Sequence, residues 1–184
     1  PGLTFRESLY NGVASDRINR QFRFCPRSDG MFNIGSLSYH IGEEDRHHGY
    51  YAVGYALGSS PSETSADKTF NYALWTLIEQ PLLHVGESHL GAMWQGGTSP
   101  ASRSTCRHYW GAGLIWSNIP PRMTQVGLVV NRALYADGRE TDVELTGSFP
   151  VCNHFTLQPA VHCINTNGNY TAAAQLRAIL EFGN

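Results

Sequence analysis

"VGLVVNRALYADGRETDVELTGSF", residues 126–149, decides the fold class. If Asp137-Gly138 forms a two-residue turn, pairing across it sets Leu134 opposite Thr141, Arg132 opposite Val143, Val130 opposite Leu145 and Val126 opposite Phe149 on one face. The other face then carries Tyr135 with Glu140, Ala133 with Asp142, Asn131 with Glu144 and Val129 with Thr146. One side is apolar and the other wet. A turn dipeptide and a two-residue alternation that agree on both arms predict a hairpin with one face on a core and one in water.

The same alternation, read outward in both directions, predicts strands at Met31–Ile41, Tyr50–Leu57, Phe70–Ile78, His89–Gln95 and Tyr109–Trp116. In "FNYALWTLI" (70–78) both faces are apolar, which places that strand in the middle of the domain or at a subunit contact. "GSSPSETSADK" (58–68) and "QGGTSPASRST" (95–105) have the Gly, Ser, Pro and Thr content of exposed loops. The end, "TAAAQLRAILEFG" (171–183), fits a helix through Ala173, Leu176 and Leu180. Alternation of Leu176, Ala178, Leu180 and Phe182, with Arg177 and Glu181 outside, favours a final strand. The expected fold is all-β: an antiparallel sandwich or barrel-like domain with long loops, one globular unit over 1–184, with residues 1–30 as a connector.

Composition agrees. The charged fraction is 15%, below the roughly 25% of ordinary soluble domains, while Gly (19) and Tyr (9) are plentiful. A net charge of −2 gives no general attraction to phosphate, and the arginines at 6, 17, 20, 23 and 27 have only Tyr10, Phe22 and Phe24 among them, which do not read as a stacking platform, so no nucleic-acid partner is expected. Lys68 is the only lysine, and an arginine bias suits a surface that a partner covers. No apolar run is long enough for a membrane helix, and no membrane insertion is expected. The chain begins at Pro1 without a methionine and reads as a mature or excised piece of something larger.

Four cysteines, Cys25, Cys106, Cys152 and Cys163, contain no C-x-x-C pair for structural zinc. Cys152 and Cys163 flank a ten-residue segment that a disulfide could close in an extracellular protein, and free thiols are the equal alternative.

The chemistry-bearing motifs fail on spacing. "IGEEDRHHGYYAVG" (41–54) gathers acids and a histidine pair, but adjacent His47 and His48 diverge in an extended chain, and His40 and Glu43 join them only if the loop folds back. "HVGESHLG" (84–91) has Leu90 where a nucleophile elbow needs glycine. No phosphate-cradling glycine motif occurs. No catalytic residue, metal or cofactor is therefore expected. A surface of amphipathic rings remains, with Tyr50, Tyr51, Trp94, Arg107, Tyr109 and Trp110 as the receptor-binding set.

"PGLTF" (1–5) is similar to the shaft repeats of viral attachment fibres, and the Gly-, Tyr- and Trp-rich segment that follows has the size of their heads. The resemblance implies a homotrimeric receptor-binding head on the virion surface, as fibre head or capsid spike, gripping a host glycan or protein. A lectin-like adhesin of a bacterial cell surface or secreted protein is the nearest alternative. A metal-dependent or hydrolytic enzyme using His40, Glu43, His47 and His48 is the alternative from another class.

Overall fold

The protein was analysed as a computed structural model, which describes residues 2–12, 26–42, 49–61, 68–100, 104–120 and 123–181. The all-β, antiparallel expectation holds. Ten strands run in chain order: β1 (Gly2–Asn11), β2 (Met31–Ile41), β3 (Gly49–Pro61), β4 (Lys68–Val85), β5 (Ser88–Thr98), β6 (Cys106–Ile119), β7 (Met123–Tyr135), β8 (Arg139–Cys152), β9 (Phe155–Thr166) and β10 (Asn169–Leu180). They form one sheet in which each strand pairs only with its sequence neighbours, the simplest up-and-down meander. One helical turn, Pro26–Asp29, precedes β2.

Every predicted strand is present, the last one included. Two strands go beyond the sequence reading: β1, expected within a connector, and β9, for which no strand was predicted. The hairpin at 126–149 keeps its predicted faces but shifts its register by two residues, pairing Leu134 with Arg139, Arg132 with Thr141 and Val130 with Val143. The shift has a local cause. Tyr135 N–H donates to the Gly138 carbonyl, and the Asn167 side chain accepts from the Arg139 N–H, so the turn closes from Tyr135 instead of around Asp137-Gly138 alone. Because the shift is even, no side chain changes face.

Asn167 itself stands at φ 53°, in the left-handed region. Its side chain ties the β7–β8 turn to the β9–β10 turn, and its own N–H donates to the Arg139 carbonyl. Asn167→Ala keeps the costly backbone and loses the tether, so a loss of about 1–2 kcal/mol is expected by equilibrium unfolding.

Cross-strand pairing assigns each side chain to one of two faces. The row Thr4, Ser38, Ala52, Leu77, Gln95, Gly111, Asn131, Asp142, Ile164, Thr171 crosses the whole sheet on one of them. That face holds Gly, Ala and Ser, the charged or polar Arg6, His40, Glu79, Glu140, Glu144, His162, Gln175 and Arg177, and also the apolar Phe32, Ile34, Trp75, Leu77, Met93, Ile115, Val129 and Ile164. The opposite face is apolar: Leu3, Phe5, Leu37, Tyr39, Val53, Leu74, Trp94, Leu114, Trp116, Leu128, Val143, Leu145, Val161, Leu176 and Leu180 are all exposed there. Charge reaches it at Glu7, whose carboxylate accepts from Asn33 and Tyr55, and at Arg132 and Arg139.

The row just traced meets β1 at its third residue, Thr4, and β10 at its third residue, Thr171, although the two strands run in opposite directions. It therefore starts near one end of the sheet and finishes near the other. Such accumulated stagger is what tilted strands in a barrel wall produce.

The sequence predicted the apolar face on a core and the polar face in water. The structure reverses the sheltering. Ser38 (4%), Ala52 (3%) and Ala160 (9%) on the polar face are buried, while their chain neighbours Leu37 (43%), Val53 (56%) and Val161 (51%) on the apolar face are exposed. The asymmetry holds on β2, β3 and β9, whereas on β10 both faces are exposed. A compact protein of 20.3 kDa would expose about 8,800 Å². This one exposes 13141 Å², and among the described residues the buried apolar ones are Ala52 and Ala160.

Candidate functional site: two faces of one wall

The apolar face is continuous across all ten strands. On β10 it runs Ala172, Ala174, Leu176, Ala178, Leu180, nine residues from first to last, which at about 3.3 Å per residue extends roughly 26 Å along the strand. Large rings lie on it: Phe70 and Tyr72 toward one end, Tyr39, Tyr51 and Trp116 toward the other, and Trp94 stacked on Trp110 with centroids 5.9 Å apart and planes 9° from parallel. A recess of about 240 Å³ on this face is lined by Val126, Leu145, Phe149, Pro159 and Val161.

The polar face carries a hydrogen-bonded track over its central strands. Gln95 Nε2 donates to the Tyr109 hydroxyl (2.6 Å), which donates to Asn131 Oδ1 (2.8 Å). Asn131 pairs directly with Asp142, and Asp142 Oδ2 lies 3.1 Å from His162 Nδ1. Thr166 donates to Glu140 (3.1 Å). A recess of about 310 Å³ opens beside the track, lined by Cys106, Tyr109, Asn131, Tyr135, Glu140 and Asp142. Gly111 makes room for it: a Cβ there would stand 2.4 Å from Asn131 Oδ1 and 3.0 Å from Gln95 Nε2.

The sheet divides the six predicted receptor-binding residues. Tyr51, Trp94 and Trp110 belong to the apolar face, Tyr51 with a hydrogen bond to Gln80. Tyr50 and Tyr109 belong to the polar face, Tyr50 with its ring 4.7 Å from that of His40. Arg107 stands at the register shift of β6, its Nε screened from solvent and without a hydrogen-bond partner. The six do not converge on one patch.

The disulfide expected as one alternative is not formed: Cys152 and Cys163 are both free and exposed. Cys152 pairs with Phe155, and Cys163 lies eight residues farther along β9 opposite Val143. At about 3.3 Å per residue that separation far exceeds the roughly 7 Å a disulfide can bridge. The histidine pair His47-His48 and Glu43 lie outside the described residues.

Sequence reasoning missed one constellation. Asp142, Glu144 and His162 each offer a ligand atom within 4.8 Å of the others. Asp142 and Glu144 are two apart on one strand, a visible signal, but His162 sits in β9, a strand the sequence reading does not predict.

No protein family, no curated protein and no solved structure matches the chain.

Proposed function

We propose that this chain is a length of wall of a transmembrane β-barrel, with its apolar face against lipid acyl chains and its polar face toward an aqueous lumen. One observation carries the reading: among the described side chains, the charged ones of the central strands, Arg132, Arg139 and the register-shifted Arg107 apart, lie on the more sheltered face, and the exposed face is apolar, the inverse of a water-soluble sandwich and the arrangement a bilayer selects. The apolar span of β10 suits a hydrocarbon layer crossed by tilted strands, and the stagger supplies the tilt. Aromatic rings toward both ends of the apolar face fit interfacial girdles.

The connections differ between the two ends through one long segment, 12–30, since 42–48 is as long as 99–105 and longer than 62–67. At one end of the sheet they span 12–30, 62–67 and 99–105, with shorter ones at 136–138 and 167–168. At the other they span 42–48, 86–87, 120–122 and 153–154. Barrels of outer-membrane type have short turns on one side and longer loops on the other. Among the described residues no helix is long and apolar enough to cross a membrane, and this reading needs none.

The receptor-binding head expected from the sequence has less behind it. Its rings divide between two faces, and its apolar face would have to be covered by further copies of the chain. Oligomeric mass in detergent-free buffer separates the two readings: a soluble trimer favours the head, insolubility without detergent or lipid favours the wall.

Cysteine labelling tests the orientation. Cys163 lies at the edge of the apolar band, opposite its first residues Val143 and Ala172, and Cys152 lies beyond its other edge at the end of β8, three residues from Phe155 where β9 begins. In single-cysteine versions of the chain inserted into vesicles, a charged maleimide is expected to label Cys152 from one side of the membrane and to leave Cys163 unlabelled until the protein is unfolded. Rapid labelling of Cys163 in intact vesicles defeats the proposal.

A further inference from the structure

We propose that Asp142, Glu144 and His162 bind a divalent cation of the zinc type on the polar face. The site uses two paired strands and does not depend on the membrane reading, so each can fail without the other. Asp142 and Glu144, two apart on β8, project to the same side, and His162 on β9 stands directly opposite Glu144 and diagonal to Asp142. The backbone ladder fixes all three origins. Their ligand atoms lie within 4.8 Å of one another, close enough for small rotamer changes to reach the roughly 3.3 Å spacing of ligands about 2 Å from one ion.

A second observation points the same way. His162 Nδ1 already lies 3.1 Å from Asp142 Oδ2, leaving Nε2 as a second donor atom of the ring. Asp142 Oδ1 is screened from solvent and has no hydrogen-bond partner. A covered carboxylate oxygen without a donor is costly, and a bound cation would satisfy it.

The donor set selects the metal class. One imidazole nitrogen and two carboxylate oxygens, half-buried and without a thiolate, suit zinc and its first-row neighbours. Calcium needs six to eight oxygens, and magnesium an octahedron it dehydrates into reluctantly. With three protein ligands a tetrahedral ion keeps one position open. The 310 Å³ recess that Asp142 shares with Tyr109, Asn131 and Glu140 adjoins it, so the fourth position can take water or an oxygen of a passing solute.

The test uses the full chain, folded in detergent-free buffer if it is soluble there and in detergent micelles if it is not, stripped with chelator and titrated with Zn²⁺ by calorimetry. One equivalent is expected to bind, weakened by at least about tenfold in Asp142→Asn and again in His162→Gln. Glu79→Gln, on the same face but on β4, is expected to leave the affinity unchanged. Excess Mg²⁺ is expected not to displace the ion. Unchanged affinity in both site variants, or no Zn²⁺ uptake up to millimolar concentration, overturns the proposal. A second measurement covers the case of variants that do not fold. In the wild-type chain, Zn²⁺ is expected to slow carbethoxylation of His162 several-fold, read by peptide mass spectrometry, while leaving His154 unprotected. Equal modification of His162 with and without Zn²⁺ also overturns it.

Discussion

Leu145→Arg is expected to lower the stability of the membrane-inserted fold by about 2–4 kcal/mol, the cost of a guanidinium near the middle of the hydrocarbon layer. Leu145 pairs with Leu128 on one side and Val161 on the other, and the apolar residues of its own strand run from Val143 to Phe149, so it sits inside the band and away from its rim. Gln175→Arg, on the polar face of β10, is the matched control and is expected to change stability by less than about 0.5 kcal/mol. Urea titration of the refolded chain in vesicles measures both. A loss below about 0.5 kcal/mol for Leu145→Arg is what an ordinary exposed position would give, and it would remove lipid from the account. The arginine would also disturb a sheet covered by protein, so the contrast must be taken together with protection of Cys163 in vesicles.

The second large effect concerns how the wall stays thin on its inner side. Gly54 pairs directly with Trp75, and a Cβ at Gly54 would stand 2.3 Å from Cε2 and Cζ2 of that ring and 2.7 Å from the Gly35 carbonyl oxygen. The indole lies across the glycine. Gly54→Ala must push the ring or the strand aside, and a loss of about 1–3 kcal/mol is expected. Trp75→Ala removes the obstacle, so the double variant is expected to lose less than the sum of the two single ones. Strict additivity in the same unfolding assay would mean that the ring does not rest on Gly54. The Gly111 contacts with Asn131 and Gln95 follow the same plan, in which absent side chains let large neighbours lie along the sheet.

These two sites also mark what the sequence made legible. Alternation of Val126, Leu128, Val130 and then Val143, Leu145 was enough to sort every side chain of the β7–β8 hairpin to its face, and the even register shift left that sorting intact. It could not say which face is sheltered. A soluble hairpin and a membrane hairpin alternate identically, and the familiar hydropathy test for crossing a bilayer counts consecutive apolar residues, which strands never need. β9 was missed because Pro159 sits in its middle and proline argues against a central strand. The structure accommodates it: Thr146 pairs with Ala160 and Phe149 with Leu157 on either side, and Thr146 Oγ1 donates to the Pro159 carbonyl. Missing β9 hid His162, and without it Asp142 and Glu144 looked like solvated charge.

The meander ends at β1 and β10, and among the described residues neither outer margin has a strand beside it in the sheet. Oil offers nothing to a bare amide, so a ribbon with raw borders could rest on the surface of a bilayer but could not sink into it. On the membrane reading proposed above, the hoop has to be joined first, whether β1 meets β10 or further staves stand between them. Entry into the membrane then becomes an all-or-nothing event, governed by the last seam to close and not by the greasiness of any one stave.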